Sequence, residues 1–313
     1  MSGPGRSVNP PAARHPGSPP PVSKMTGDWA TVTRELAAGL PRPPISVVIL
    51  TYNESDNVGP CIDSCAWSDD IHVLDSGSTD NTQAIARDRG ASVHENPFES
   101  FGQQRNWAID NIHTKHDWQL QLDADERCTV GMVREMHDRV PTDDADAFRC
   151  PSMLVFMDRW LRFVSEYPVY QVRLFNTHKC RFADHGHGQR EDLEGPVGSL
   201  AMPYAHHNFS KGLDDWFDKH NRYSALEARQ RLEHPSGSVL SLLGWLRDKD
   251  AVERRRALKA LSLKLPMRPT IGMLYTLVLK QGLRDGKAGI TYARMRAVYD
   301  AMTDIKSAAG SVS

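Results

Sequence analysis

The sequence predicts an α/β chain built on a mostly parallel sheet, and three observations carry that prediction. Ile45-Ser46-Val47-Val48-Ile49-Leu50 is an abrupt β-branched apolar run, as expected of a strand covered on both faces. Strand-like and helix-like segments then alternate as far as Leu122 at the spacing of βαβ units. Polar clusters follow the strand candidates: Thr51 to Glu54, Asp75 to Asp80, and Asp123 to Asp125. Ligands of open α/β sheets bind beyond the carboxyl ends of the strands, so these clusters point to one edge.

The first strand is followed by a predicted helix over 55–66 and a second strand, Ile71-His72-Val73-Leu74. Ser78-Thr79-Asp80 supplies an N-cap signal for a helix running to Arg89, with Asp80 read as a cap rather than a ligand contact. Ala91-Ser92-Val93-His94 reads as a short third strand, Gly102 to Ile112 as a helix, and Trp118 to Leu122 as the fourth strand. The chain divides into a leader over 1–44, a body over 45–235 and a basic helical segment over 236–313. The leader holds ten of the twenty prolines, so it is expected to be disordered or extended, with a short helix over Thr31–Leu40 and no core-forming capacity.

With 313 residues, 40% of them hydrophobic, the chain can bury a sizeable core. A net charge of -1 argues against a nucleic-acid binder. The five cysteines contain no Cys-X-X-Cys and are odd in number, which suits free thiols in a reducing, cytoplasmic setting. The first residues show no apolar core of signal-peptide type. Charge is uneven: residues 247–296 carry 13 Lys/Arg against 4 Asp/Glu, behind an acidic body.

Asp123-Ala124-Asp125 places two carboxylates one residue apart at a strand tip. Such oxygens suit Mg²⁺ or Mn²⁺, although an isolated Asp-X-Asp is more often a solvated turn or a helix cap. It does not stand alone. Ser46 to Glu54 (Ser-Val-Val-Ile-Leu-Thr-Tyr-Asn-Glu), Val73 to Asp80 (Val-Leu-Asp-Ser-Gly-Ser-Thr-Asp), Gln104-Arg105-Asn106, and Leu122-Asp123-Ala124-Asp125-Glu126 occur in this order. Together they resemble the nucleotide-binding half of family 2 glycosyltransferases, which have the GT-A fold, a Rossmann-like sheet with helices on both faces. The resemblance is strong over 45–130 and weaker to about residue 300. It implies a nucleotide-sugar half over 45–130 and an acceptor half over 131–235.

By this resemblance Thr51, Tyr52 and Glu54 line the nucleoside pocket, for which a capped strand-to-helix turn is the plainer account. Asp75 starts the family's Asp-Asp-Gly-Ser motif, and Ser76 replaces the second aspartate, which in many members contacts uracil. A UDP-sugar remains the first expectation for the donor. Arg105 offers a planar cation for phosphate or base edge, or else a surface salt bridge. Asp123 faces ribose and metal, and Asp125 the metal directly. His206, in Tyr204-Ala205-His206-His207, is the third metal ligand in preference to His207, although a His-His pair is often just a packed pair. Zinc held by His185, His187, His206 and His207 is disfavoured, since no cysteine lies at ligand spacing.

Val172-Arg173-Leu174-Phe175-Asn176 resembles a subgroup that builds lipopolysaccharide core and related bacterial polysaccharides. There an acidic residue after a His/Gly-rich stretch takes the proton of the attacking sugar hydroxyl. Glu191 is the first candidate, with Asp184 and Asp192 as rivals, and the resemblance implies inversion at the anomeric carbon. A helix over Trp216 to Leu232 is expected beside the acceptor site. Arg254-Arg255-Arg256 opens another helix with Leu258, Leu261 and Leu265 on one face. Ile271 to Leu279 is a mostly apolar run, too short for the ~20 residues a membrane span needs. With the surrounding positive charge it suits either an interfacial helix on the cytoplasmic leaflet or a core helix between basic faces. The expected acceptor is a membrane-associated glycolipid or polysaccharide. A polyprenyl-phosphate sugar synthase is a close rival and an inactive nucleotide-sugar scaffold a more distant one. A nicotinamide oxidoreductase would need Gly-X-Gly-X-X-Gly where this chain has Thr51-Tyr52-Asn53-Glu54.

Overall fold

The computed structural model describes residues 32–34, 39–140, 142, 145–185, 188–233, 261, 263, 265 and 267–310. The expected leader up to Thr31, His187, and the Arg254-Arg255-Arg256 helix lie outside the described residues.

The first half follows the predicted alternation. Strands β1 (Ile45–Thr51), β2 (Ile71–Asp75), β3 (Ser92–Glu95) and β4 (Trp118–Asp123) are separated by helices α1 (Val58–Ser64), α2 (Thr82–Asp88) and α3 (Phe101–Asn111). They pair in parallel in the order β3-β2-β1-β4. Two-sided burial explains the unbroken apolar run of β1. Val47 and Ile49 join the main core with Ile62 of α1, Leu120 and Leu122, while Val48 packs with Leu74, Ala108 and Ile112 under α3.

The sheet then turns mixed. After β5 (Glu126–Arg127) and α4 (Val130–Arg139), β6 (Ala147–Phe156), β7 (Arg159–Trp160) and β8 (Val169–Asn176) follow. A separate hairpin, β9 (Arg181–His185) with β10 (Gly188–Asp192), precedes β11 (Val197–Ser199) and β12 (Tyr204–His206). Strand β8 runs antiparallel between β4 and β6, and β12 lies parallel to β6 and antiparallel to β5. The expected α/β class with a helical C-terminal segment is therefore what the chain adopts.

Two expectations need correction. The helix after Asp80 begins at Thr82 with Asn81 at its N-cap position, so Asp80 sits one residue early. It still holds the turn, accepting the Thr82 N–H at 3.0 Å and the Ser55 N–H at 3.1 Å. The stretch before Ile45 also contributes to the core. Val32 and Leu40 are buried, and the Val32 N–H donates to the Cys128 carbonyl at 3.0 Å. Both side chains join the main core cluster, despite the proline-rich composition of residues 1–44.

The C-terminal part consists of α5 (Gly212–Glu233), α6 (Arg268–Leu274), a π-helical continuation over Tyr275–Leu279, a 3-10 turn over Gly282–Asp285, and α7 (Gly286–Gly310). Helices α5 and α7 pack together, with Trp216, Ala288 and Met295 joining Phe156, Leu161 and Val164 of the sheet side. The buried Asp285 carboxylate joins them to the body: it accepts the N–H groups of Arg162, Phe163 and Val164 at 3.2, 2.9 and 3.0 Å. Among the described residues, no helix is long and apolar enough to cross a membrane.

Asp285→Ala would leave those amides without an acceptor. The expected loss is about 2–3 kcal/mol in urea unfolding, with an unchanged m-value.

Candidate active site

The parallel register aligns the strand ends. Thr51 lies beside Asp75, and Leu50 beside Asp123. Asp75 is fully buried and organises the loop that follows it. Its Oδ1 accepts the N–H groups of Gly77 and Ser78, at 3.1 and 2.8 Å, and the Gln83 amide at 2.9 Å. Its Oδ2 accepts the hydroxyls of Thr51 and Ser78 at 2.7 and 2.6 Å. Gly77 makes this turn at φ +89, a conformation that side chains rarely adopt. Burial alone would raise the Asp75 carboxyl, but hydrogen bonds from Ser78, Gln83 and Thr51 hold it below the usual range. The neighbouring loop is joined to this one. Asn53, at φ 52, accepts the Thr79 N–H at 2.8 Å, and the Glu54 N–H donates to Thr82 Oγ1 at 2.7 Å.

Asp123 is held from two sides. Arg105 Nη2 donates to its Oδ1 at 2.9 Å, and Arg173 Nη2 to its Oδ2 at 2.6 Å. The same Arg173 nitrogen reaches Glu126 Oε1 at 2.6 Å, and Glu126 Oε2 accepts the Asp123 N–H at 3.0 Å. Arg105, Glu126 and Arg173 are all buried. Burial is the largest influence on the Asp123 carboxyl and acts upward, but Arg173 and Arg105 outweigh it and hold the acid far below its ordinary value. Glu126, deeper and repelled by Asp123, is shifted up despite Arg173. Arg105 is pushed down to about 10 by burial and by Arg173, so it stays charged at neutral pH.

Asp125 follows on the same turn. Its Oδ2 lies 3.3 Å from His206 Nε2, and both side chains are partly exposed. Hydrogen bonding to His206 and its charge hold Asp125 down against burial, and Asp125 raises His206 against burial. His207 points elsewhere, with its N–H on the Asp125 carbonyl at 2.8 Å and its imidazole pushed down to about 4 by burial. Glu54 accepts Lys211 at 2.6 Å and Asn57 at 2.7 Å, and burial raises its carboxyl.

A cleft of about 810 Å³ collects these groups: Thr51, Tyr52, Glu54, Ser76, Asp123, Asp125 and His206 line it. Ser76 accepts the Gln104 amide at 3.1 Å, and Tyr52 is exposed. Asp75 is not on the wall; it acts on the cleft through its loop. Arg105 lies behind Asp123 instead of on an open surface, which disposes of the surface salt-bridge account.

A second cavity of about 320 Å³ adjoins the first, sharing Asp123 and Phe101. Glu191 and Gln189 line it together with Arg105 and Arg173. The alternation of β10 sends Glu191 inward and leaves Asp192 exposed. Arg149 Nη2 donates to Glu191 Oε1 at 3.2 Å. Asp184 is occupied elsewhere, accepting Ser100 Oγ at 2.7 Å and the Gly102 N–H at 3.0 Å at the start of α3. A Cβ on Gly102 would come within 2.8 Å of that carboxylate, so glycine permits the contact.

Sequence reading missed Arg173, although it stands in a quoted motif. The available signal was a cation inside an otherwise apolar strand. It also missed Lys219, His220 and Tyr223, which α5 brings to the cleft wall at helical spacing. Among the described residues, no group of three or more His, Cys, Asp or Glu converges on a metal position. Asp123, whose two oxygens already accept from guanidiniums, and the Asp125–His206 pair share the cleft wall and are the oxygen and nitrogen donors that a divalent cation there would meet. Mg²⁺ commonly takes one or two carboxylates and completes its shell with substrate phosphates and water.

Arg173→Met is expected to cost about 3–5 kcal/mol in urea unfolding, because Glu126 and Asp123 lose their shared counter-charge. Since the folded Asp75 carboxyl lies below its unfolded value, its contribution is present above about pH 4 and fades as pH falls through the folded value. Asp75→Asn should remove that acid-side loss, read from urea midpoints at about pH 3 and about pH 6.

Residues 46–190 match the profile of Glycosyl transferase family 2. The chain is 27% identical over 202 residues to the lipopolysaccharide core biosynthesis glycosyltransferase LpsC of Rhizobium meliloti (strain 1021), covering 62% of this chain and 74% of that protein. It is 37% identical over 97 residues to an uncharacterized glycosyltransferase of Rickettsia conorii, covering 31% of this chain and 32% of that one. Among solved structures, S. aureus TarS in complex with UDP-GlcNAc aligns at a TM-score of 0.39 and 14% identity, over 85% of this chain and 92% of that chain. The chain thus spans about three quarters of the first relative and about a third of the second. The stretch that carries β1 to β4 and the clusters at their ends is a glycosyl transferase family 2 domain.

Proposed function

We propose that the chain transfers a sugar from a nucleoside diphosphate, with a UDP-sugar as first expectation, to a hydroxyl of a membrane-associated glycolipid or polysaccharide of lipopolysaccharide-core type, with inversion. The catalytic unit in this reading is 45–235. The observation that carries the proposal is the adjacency of the two cavities across Asp123. One has strand-end loops and the Asp125–His206 pair suited to a nucleotide and its diphosphate. The other presents Glu191, a carboxylate, beside the first.

In this mechanism the donor lies along the Thr51–Glu54 and Ser76 loops, which Asp75 keeps in shape. Asp123, fixed by Arg105 and Arg173, is a rigid partition between donor and acceptor and orients the donor ribose. Asp125 and His206 would hold Mg²⁺ or Mn²⁺, which when bound neutralises charge on the departing diphosphate. Glu191 accepts the proton of the acceptor hydroxyl as its oxygen bonds to the anomeric carbon and the bond to the nucleoside diphosphate breaks. The Arg149 contact aims the Glu191 carboxylate. A lipid-phosphate acceptor, which needs no base, is the second reading, favoured by the three guanidiniums of Arg105, Arg149 and Arg173 around or behind that cavity.

Three measurements test this. In a thermal-shift panel of UDP, GDP and CDP with and without Mn²⁺, UDP with Mn²⁺ should stabilise most, by about 2.7 kcal/mol at a hundredfold excess over Kd. Asp125→Ala should abolish the metal-dependent part of that shift. Glu191→Gln should lower kcat about 10²–10⁴-fold while leaving the UDP shift intact. Unaltered turnover would instead favour a phosphate acceptor, and the absence of any nucleotide shift would end the donor reading.

A further inference from the structure

We propose that the face presented by residues 267–283 is a docking surface for an anionic lipid bilayer. This deepens the reading of a membrane-held acceptor, by naming the surface that would bring the active site to it.

Globular helices normally turn their apolar stripe inward. Here Met267, Ile271, Leu274, Tyr275 and Val278 recur at helical spacing and are 72%, 42%, 52%, 50% and 60% exposed. Leu279 and Leu283 extend the patch at 72% and 55%. The inward positions of the same stretch are occupied by Leu277 and by small or half-buried residues, and α6 packs on α7 through them. This weighs on the two expectations for the run over 271–279: Leu277 is its one buried apolar side chain, and Ile271, Leu274, Tyr275, Val278 and Leu279 face outward. A patch of this kind on a monomer marks an interaction site.

Charge selects the occupant. Residues 267–298 hold six Lys/Arg and a single carboxylate, Asp285, which is buried against the Arg162–Val164 amides. Lys280 faces Glu166, and Arg268 faces Asp300 and Asp304. Arg284, Lys287, Arg294 and Arg296 are exposed. From the 3-10 turn into α7, Lys287 and Arg294 alternate at helical spacing with the exposed Leu283, Ile290 and Val298. Apolar side chains interleaved with cations match the boundary between acyl chains and anionic headgroups, and Tyr275 is a residue type that settles at that depth. A cavity of about 330 Å³ opens beside Tyr275, with Lys280, Tyr292 and Arg296 in its wall together with Glu166 and Asp300. A second copy fits less well, because a two-fold interface would bring these cations against their own counterparts. The segment 234–266 carries seven Lys/Arg against three Asp/Glu, the same sign of charge as this face, so charge does not favour it as the occupant.

The test is co-flotation of the full chain with vesicles of phosphatidylcholine alone or mixed with phosphatidylglycerol, at low and high salt. The expected result is binding to the anionic vesicles only, weakened by salt. Val278→Glu combined with Leu279→Glu should lower the bound fraction on the order of tenfold or more, and Lys287→Glu with Arg294→Glu should do so on anionic vesicles. Both variants must keep the far-UV circular dichroism of the wild type. Absence of wild-type binding, or binding indifferent to Val278→Glu with Leu279→Glu, overturns the proposal. So does a dimer in sedimentation that those changes dissolve while vesicles are ignored. The UDP and Mn²⁺ thermal shift is read in parallel. Vesicle binding without that shift would sink the donor reading alone, and the shift without vesicle binding would sink the docking surface alone.

Discussion

Arg173 bridging Asp123 and Glu126 is the contact on which the site depends. Two carboxylates at the end of a buried strand repel each other and lose water, and neither would stay ionised there unaided. A guanidinium buried between them, with Arg105 on the far oxygen of Asp123, makes the arrangement tolerable. The network draws on α3, β4, β5 and β8, so it also fixes where the parallel half of the sheet meets the mixed half. Asp123 is thereby less a free ligand than a fixed wall, shared by the two cavities.

A second carboxylate does comparable work without touching the cleft. Asp75 gathers five donors and so ties the loop after β2 to Thr51 and to α2. Asp184 does the same for the β9–β10 hairpin by seating it on the start of α3. Glu191 is the carboxylate of its hairpin that lines the smaller cavity, because Asp184 is spent on that anchoring and Asp192 lies on the outer face of β10. Acidic residues of similar appearance in the sequence thus divide into scaffold and surface according to what surrounds them.

Much of this was legible beforehand, for local reasons. Strands β1 to β4 and their helices were readable because two-sided burial forces β-branched apolar runs and βαβ crossovers force their spacing. The clusters at their ends followed from the same topology. Arg173 was not readable as a site residue, since a buried arginine in a strand declares its purpose only once its partners across 47 and 50 residues are known. The contribution of Val32 and Leu40 to the core was hidden by the proline-rich composition of residues 1–44, which reports chain stiffness and not contact. The outward stripe over 267–283 was ambiguous for a related reason: helical periodicity gives a face but not its direction.

The sequence by itself determined the α/β class, the order of the strand-end clusters and the family to which residues 46–190 belong, because each of these is written in patterns a few residues long. The tertiary structure alone decided that Asp123 is clamped between Arg105 and Arg173, that Asp125 pairs with His206, and that Glu191 stands across a shared wall from the cleft. Those facts depend on which distant side chains share a low-dielectric space, and charge, pairing and exposure there are properties of the neighbourhood and not of the residue.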